Sequence, residues 1–429
     1  MSFEAMQTGI SGINATSLAM TVVGDNIANI NTPGYKSSRP LFADVLIQNL
    51  GQNKQIGRGT QLAAVTRNFA QSAFQTTGTP TDMAVDGNGL FVLKGDSGFF
   101  YSRAGAFKFD KNGDLVNPAG LRVQGYKYDP TTSTFASALT TISLAGTSSQ
   151  PKATGKVNVS VNADARASVP TTAYDPLAIT PNMYNHAATV TIYDSLGNPH
   201  QGQVLFRKAA TANTWDWHLA MDGGNLVGGT AGVLQEAGAG GQITFTSGGL
   251  LDTESGSPLA IDFTGGAGAA QSVDIDFGSS ITTDGGAGTD GTTQYAIDSS
   301  TVFMAQDGFG PGALQEISVA RDGSLSGTFT NGRIETLSRL ALASFADAQS
   351  LGQRGNTLFA ETLESGPALI DMAATGKLGN IASNALESAN VDLATQFVNM
   401  VNLQRAFQAN ARTVTTSSQL IAEIINLGT

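Results

Sequence analysis

The chain contains no cysteine, which removes disulfides, thiol nucleophiles and Cys-based zinc sites together. That suits a cytosolic protein, and equally an exported one that needs no oxidative staples. Charge is scarce too: Asp, Glu, Lys and Arg make up 13% of 429 residues, about half the usual share. The net charge is −11, whereas wrapping nucleic acid or docking on an anionic membrane calls for clustered Lys and Arg. No apolar run reaches the roughly eighteen residues of a membrane-spanning helix, so no membrane insertion is expected. The opening Met1-Ser2-Phe3-Glu4-Ala5-Met6 does not read as a secretory leader, since it carries an acid and the first basic residue is Lys36. Export would take another route.

Hydrophobic residues at 41% are enough for sizeable cores, and the length suits two to four domains. Glycine, at 51 residues, points to a β-rich chain with many tight turns. The two ends differ from the rest. Phe3, Met6, Ile10, Ile13, Met20 and Ile27 recur at helical spacing, interrupted by Ser17 and Gly24. Asn29-Ile30-Asn31-Thr32-Pro33-Gly34-Tyr35 then stops the helix: Asn back-bonds locally, Pro disfavours helix before it, and Gly accepts positive φ.

Near the other end Leu386, Leu393, Met400, Phe407, Val414 and Ile421 stand at a strict seven-residue interval. Ala389, Leu403 and Ile424 partly fill a second stripe, on which Gln396, Asn410 and Ser417 also fall. This predicts a coiled-coil helix of about forty residues, ~60 Å long. Its other face is Asn, Gln, Ser and Thr with few charges, so both terminal helices are expected to pack against neighbours in an assembly.

Between the helices, period-two patterns alternate with turn residues. Hairpins are expected at 83–93 around Asp86-Gly87-Asn88-Gly89, at 107–116 around Asp110–Asp114, at 317–325 around Arg321–Ser324, and after Val190–Tyr193. From Ala209 to Ala320 there is no Lys or Arg but there are 13 acids, so the rest of the chain sums to +2. Residues 222–291 hold 19 glycines. An acidic β-domain inserted into a near-neutral framework is the reading. The expected layout is multidomain and mainly β with helical termini. A helical inner domain comes from 1–35 and 384–429, a connecting hinge from 36–70, an inner β-domain from 71–145 and 297–383, and an inserted outer β-domain from 146–296.

Catalysis has no local support. His186, His200 and His218 lie in no metal-binding or nucleophile spacing and read as surface or turn residues. Gly286-Ala287-Gly288-Thr289-Asp290-Gly291 matches a dinucleotide-binding pattern in letters, without the buried strand before it or the helix after it. Asp110, Asn112 and Asp114 resemble half of a calcium loop, but Phe107-Lys108-Phe109 before them favours a hairpin. The acidic middle reads as a solvated surface. No catalytic residue, cofactor or metal ligand is assigned.

Two end motifs carry a resemblance. Ala28-Asn29-Ile30-Asn31-Thr32-Pro33-Gly34-Tyr35-Lys36 resembles the segment closing the N-terminal helix of bacterial flagellar rod and hook axial proteins. Asn390–Met400 followed by Gln404–Asn410 resembles their C-terminal motif. Asp86–Phe91 and Phe99–Phe107 are similar to their inner β-domain. Gln396 stands where the family usually has an acid, and Phe407 where Tyr is common. The length and the large insertion resemble the hook branch.

The resemblance implies a non-catalytic subunit, self-assembling into a curved helical tube that passes motor torque from rod to filament. It further implies export without a cleaved leader through the flagellar type III apparatus to the cell exterior. The implied partners are the distal rod protein, the hook–filament junction protein and the hook cap protein. A polymerisation seam would then run along Met6, Ile10, Ile13, Met20 and Ile27 of the first helix and Leu386, Leu393, Met400, Phe407, Val414 and Ile421 of the second. Asn29, Asn31, Pro33, Gly34 and Tyr35 would form the helix-end motif. A distal rod subunit and a secreted β-rich adhesin or calcium-binding surface protein are the competing readings; the second does not explain the paired helices.

Overall fold

The computed structural model of the protein describes residues 2–49, 55–268 and 270–427. The chain is mainly β with one long helix at each end, Ser2–Ala28 (α1) and Leu393–Leu427 (α2). It divides into two compact units. One comprises Met1–Thr147, Glu316–Thr328 and Ile334–Thr429; the other comprises Ser148–Gln315 and Phe329–Arg333. The second unit therefore runs well past 296. The reason is pairing: Ser300–Gln306 lies antiparallel to Lys156–Asn162 and completes a sheet there.

In the first unit α1 and α2 pack against each other. Residues 36–70, expected to be a hinge, are instead an antiparallel ribbon of Ser38–Asn49 and Gln55–Arg67, with Ser38 opposite Arg67. The ribbon lies back along α1. Ser38 N–H donates to Asn26 Oδ1 at 2.9 Å, and Thr60 N–H donates to Ser11 Oγ at 3.3 Å. Register shifts between Leu41 and Phe42 and between Asp44 and Leu46 break the period-two pattern, which is why the strands did not show in the sequence.

Leu386 is not helical. It sits in the strand Ala385–Glu387, paired with Phe74–Thr76. Asp392 sets the start of α2, accepting from Ala394 N–H at 2.9 Å and from Thr395 Oγ1 at 3.0 Å as an N-cap, so 384–392 lie outside the helix. The β body of this unit is built around Met83, Val85, Phe91, Leu93, Phe107, Leu115, Leu340 and Leu342. Lys108–Phe109 and Leu115–Val116 form the expected hairpin, with Asp110 Oδ1 accepting from the N–H groups of Asn112 and Asp114. The hairpin expected at 83–93 does not form. Met83–Asp86 pairs with Asn380–Ser383, whereas Leu90–Gly95 pairs with Gly98–Ser102. The carbonyls of Val85, Gly87 and Gly89 all turn onto the Arg103 guanidinium, which draws this turn away from hairpin geometry.

The second unit holds two sheets. His186–Tyr193, Pro199–Lys208, Thr214–Asp222, Gly241–Phe245 and Leu251–Glu254 run antiparallel in that order. Leu259–Ile261, Gln271–Asp276, Lys156–Asn162 and Ser300–Gln306 form the other sheet. Trp215, Trp217, Phe206 and Phe277 fill the core that both sheets share.

Candidate assembly surface

The face of α1 that meets α2 is made of small side chains. Gly9, Gly12, Ala15, Ala19, Val23 and Asn26 are buried, at spacings of three and four. A methyl group added at Gly9 would lie 2.8 Å from Val414 Cγ2, and one at Gly12 would lie 2.5 Å from Asn410 Nδ2. Asn26 Nδ2 donates to Gln396 Oε1 at 3.3 Å. Residues 9, 12 and 26 thus meet 414, 410 and 396, so the helices run antiparallel. The absent side chains let the two backbones approach closely.

This displaces the expected stripe on α1 by about one residue. Met6, Ile13, Met20 and Ile27 are only half-buried, while Ile10 and Phe3 are exposed, Phe3 at 57%. On α2 the less exposed positions include Gln396, Met400, Leu403, Phe407, Asn410, Val414, Ser417 and Ile421, alternating by four and three along the stripes read in the sequence, with Ala406 and Ala411 beside them. Leu393 is exposed at the helix start. Around the rest of α2, Phe397 and Val398 are 51% and 60% exposed, with Val401 and Leu420 beside them, and Leu18 adds to the exposed set on α1.

The helix-end motif is a compact set of local bonds. Asn29 Nδ2 donates to Asp25 O at 2.9 Å, Thr32 Oγ1 donates to Asn29 Oδ1 at 3.1 Å, and Tyr35 N–H donates to Thr32 O at 3.2 Å. Gly34 takes φ +70° and is buried where a Cβ would strike the Ala104 backbone, so no other residue fits. Its N–H donates to Glu387 O at 2.7 Å. Pro33 is half-buried and Asn31 exposed. Tyr35 OH donates to Asn26 Oδ1 at 3.2 Å. Burial, and then the Asp25 carboxylate, pushes that phenol up from its ordinary pKa. The motif therefore ties the end of α1 to the C-terminal segment and, through Asn26, to α2. Asn26 and Glu387 carry this wiring and stood out in neither periodicity nor motif.

The histidines are not simply surface residues. His200 is buried, with Nε2 3.1 Å from Asp194 Oδ2, and half-buried His218 has Nδ1 2.6 Å from Glu236 Oε1. His186 Nε2 meets Thr301 Oγ1 at 3.1 Å. His200 and His218 also stack on Phe263 and Tyr174, and among the described residues no group of His, Asp and Glu is arranged to hold a metal ion.

Four family models match along the chain. "Flagella basal body rod protein" covers 6–36, and "Flagellar hook protein FlgE/F/G D1 domain" covers 84–168. "Flagellar basal body protein FlaE D2 domain" covers 160–309, and "Flagellar basal body rod FlgEFG protein C-terminal" covers 382–427. Over 99% of both chains, this one is 34% identical to flagellar hook protein FlgE of Borreliella burgdorferi. It is 32% identical to that of Escherichia coli, over 99% of this chain and 100% of the relative. With that of Salmonella typhimurium the identity is 31%, over 97% and 98%.

The chain belongs to the flagellar hook protein family.

A hook subunit is a structural protein of the flagellum, and its chemistry lies in its surfaces. The helix pair of this hook protein leaves large apolar residues uncovered.

Proposed function

We propose that the chain polymerises into a short, curved, flexible tube that carries motor torque from the rod to the filament. The observation that carries this reading is the apolar surface left on the helix pair after α1 and α2 have packed: Phe3, Ile10, Leu18, Leu393, Phe397, Val398 and Val401. Neighbouring copies would cover these residues and form a dense, twist-resistant inner wall. Few ion pairs would need to break when copies slide elsewhere, because charge is scarce throughout. The subunit has no catalytic part in this. It leaves the cell through the flagellar type III apparatus, assembles with help from a cap protein, and is bounded by the distal rod and junction proteins. Electron microscopy of polymer grown from the purified chain tests the reading. A short curved tube is expected; a straight, stiff rod would assign the chain to the distal rod instead.

A further inference from the structure

Glu387 is buried, and its carboxylate gathers three donors. Oε1 accepts from Lys36 Nζ and from Ser72 N–H, both at 2.8 Å, and Oε2 accepts from Arg103 Nε at 2.5 Å. The three charged side chains are at most 5% exposed. Arg103 spends three of its four remaining donors on the carbonyls of Gly89, Val85 and Gly87, at 2.6 to 2.7 Å, inside the β body. Lys36 Nζ also reaches Ala70 O at 2.8 Å, across the base of the 38–67 ribbon. One residue group on, Asn390 accepts from Ser37 N–H at 2.7 Å and donates to Asn68 O at 2.7 Å and to Ala70 O at 3.2 Å.

The chain passes between the helix pair with its ribbon and the β body twice, after the ribbon and before α2, and the link from α1 to the ribbon lies beside both crossings. Each crossing is tied to Glu387 or Asn390. Gly34 N–H bonds Glu387 O at 2.7 Å, Ser72 Oγ bonds Ala389 O at 3.1 Å, and Ser388 N–H bonds Ala73 O at 2.9 Å. A hinge at this place would have to break two buried ion pairs and strand their charges. We propose that the Lys36–Glu387–Arg103 cluster is a latch that fixes the helix pair to the inner β body, so that the two turn as one rigid piece and bending takes place elsewhere. Closure needs residues from both ends of the chain, because Glu387, near the C-terminus, supplies the carboxylate that Lys36 and Arg103 share.

The arithmetic of charge makes the latch testable. Glu387→Gln keeps the shape and leaves two buried cations without a counter-charge. Lys36→Met leaves Arg103 and Glu387 balanced. The double variant leaves one unbalanced cation and lies between. Amide hydrogen exchange by mass spectrometry on the full chain reads the segments 34–38, 72–76 and 385–390. Exchange there should rise more than ~tenfold in Glu387→Gln, least in Lys36→Met, and to an intermediate level in the double variant. Exchange in 186–222 of the other unit should stay unchanged in all three. Unchanged exchange at the junction in Glu387→Gln would overturn the latch. So would a rise spread equally over 186–222, which would make Glu387 a residue of global folding. Failure of the second substitution to reverse any of the first would overturn the role of charge balance.

Discussion

Phe397 offers a measure of how strongly the helix pair drives assembly. Its side chain is 51% exposed on the isolated chain. Full burial of a phenylalanine covers about 150–250 Å², so a neighbouring copy would cover roughly 100 Å² more. At about 25 cal/mol per Å² that contact stabilises the polymer by ~2.5 kcal/mol. Phe397→Ala removes most of it, leaving a loss of about 2 kcal/mol per added subunit. Every added subunit makes the same contact, so the loss converts directly into critical concentration, roughly 30-fold. The folded monomer should be indifferent. The side chain lies half in water, and alanine is the better helix former. Sedimentation of polymer from monomer across a concentration series gives the critical concentration, and a circular-dichroism melt gives monomer stability. Asn402→Ala, at an exposed polar position of the same helix, serves as the control. A Phe397→Ala chain that polymerises at the wild-type concentration with an unchanged melt would remove Phe397 from the assembly surface and sink the area argument.

Further expectations concern the two units separately. Gly12→Leu drives a side chain into the Asn410 amide and should destabilise the helix pair by about 1–3 kcal/mol, read as a lower melting temperature of the helical signal. Burial drives the Glu387 carboxyl up, but Arg103, Lys36 and the Ser72 N–H together outweigh it and hold it below the usual carboxylate range. Its contribution is therefore full above the unfolded-state pKa and is lost as acid carries the pH down through the folded one, so junction exchange should rise below about pH 4.5. Glu254 behaves with the opposite sign: burial, then Asp284 and Asp276, push it up to about 7. Its own contribution to the unit that holds it is therefore greatest below pH ~4.5 and is lost as pH climbs through 7. The only two tryptophans, Trp215 and Trp217, lie in that unit's core, so a fluorescence melt reads it alone, and Glu254→Gln should flatten the dependence. Excising Ser148–Gln315 with a short Gly-Ser bridge should preserve the helical and β signals of the remaining unit. Excising 146–296 should yield a more aggregation-prone chain, because Ser300–Gln306 then loses its partner strand Lys156–Asn162; equal solubility of the two deletions would contradict that boundary.

Local pattern was enough for the helices at both ends, the mainly β middle, and the turns at 110–114 and 194–198. Each of these rests on neighbours a few residues away: periodic apolar positions, Asp side chains closing their own turns, a glycine at positive φ. The seven-residue interval of Met400, Phe407, Val414 and Ile421 likewise marks the less exposed side of α2. Periodicity went astray where close approach mattered more than apolar area. Gly9, Gly12, Ala15 and Ala19 carry almost no hydrophobic signal, yet they are what lets α2 lie against α1, while the larger Phe3 and Ile10 remain outside. Leu386 kept the interval of α2 without belonging to the helix, because Asp392 starts the helix later and Phe74–Thr76 claims the strand. The partners of Met83–Asp86 and of Glu387 lie about 300 residues away along the chain. No local regularity encodes such pairs. Packing alone decided them, since a buried carboxylate needs cations and a strand edge needs a partner wherever the folded chain happens to bring one.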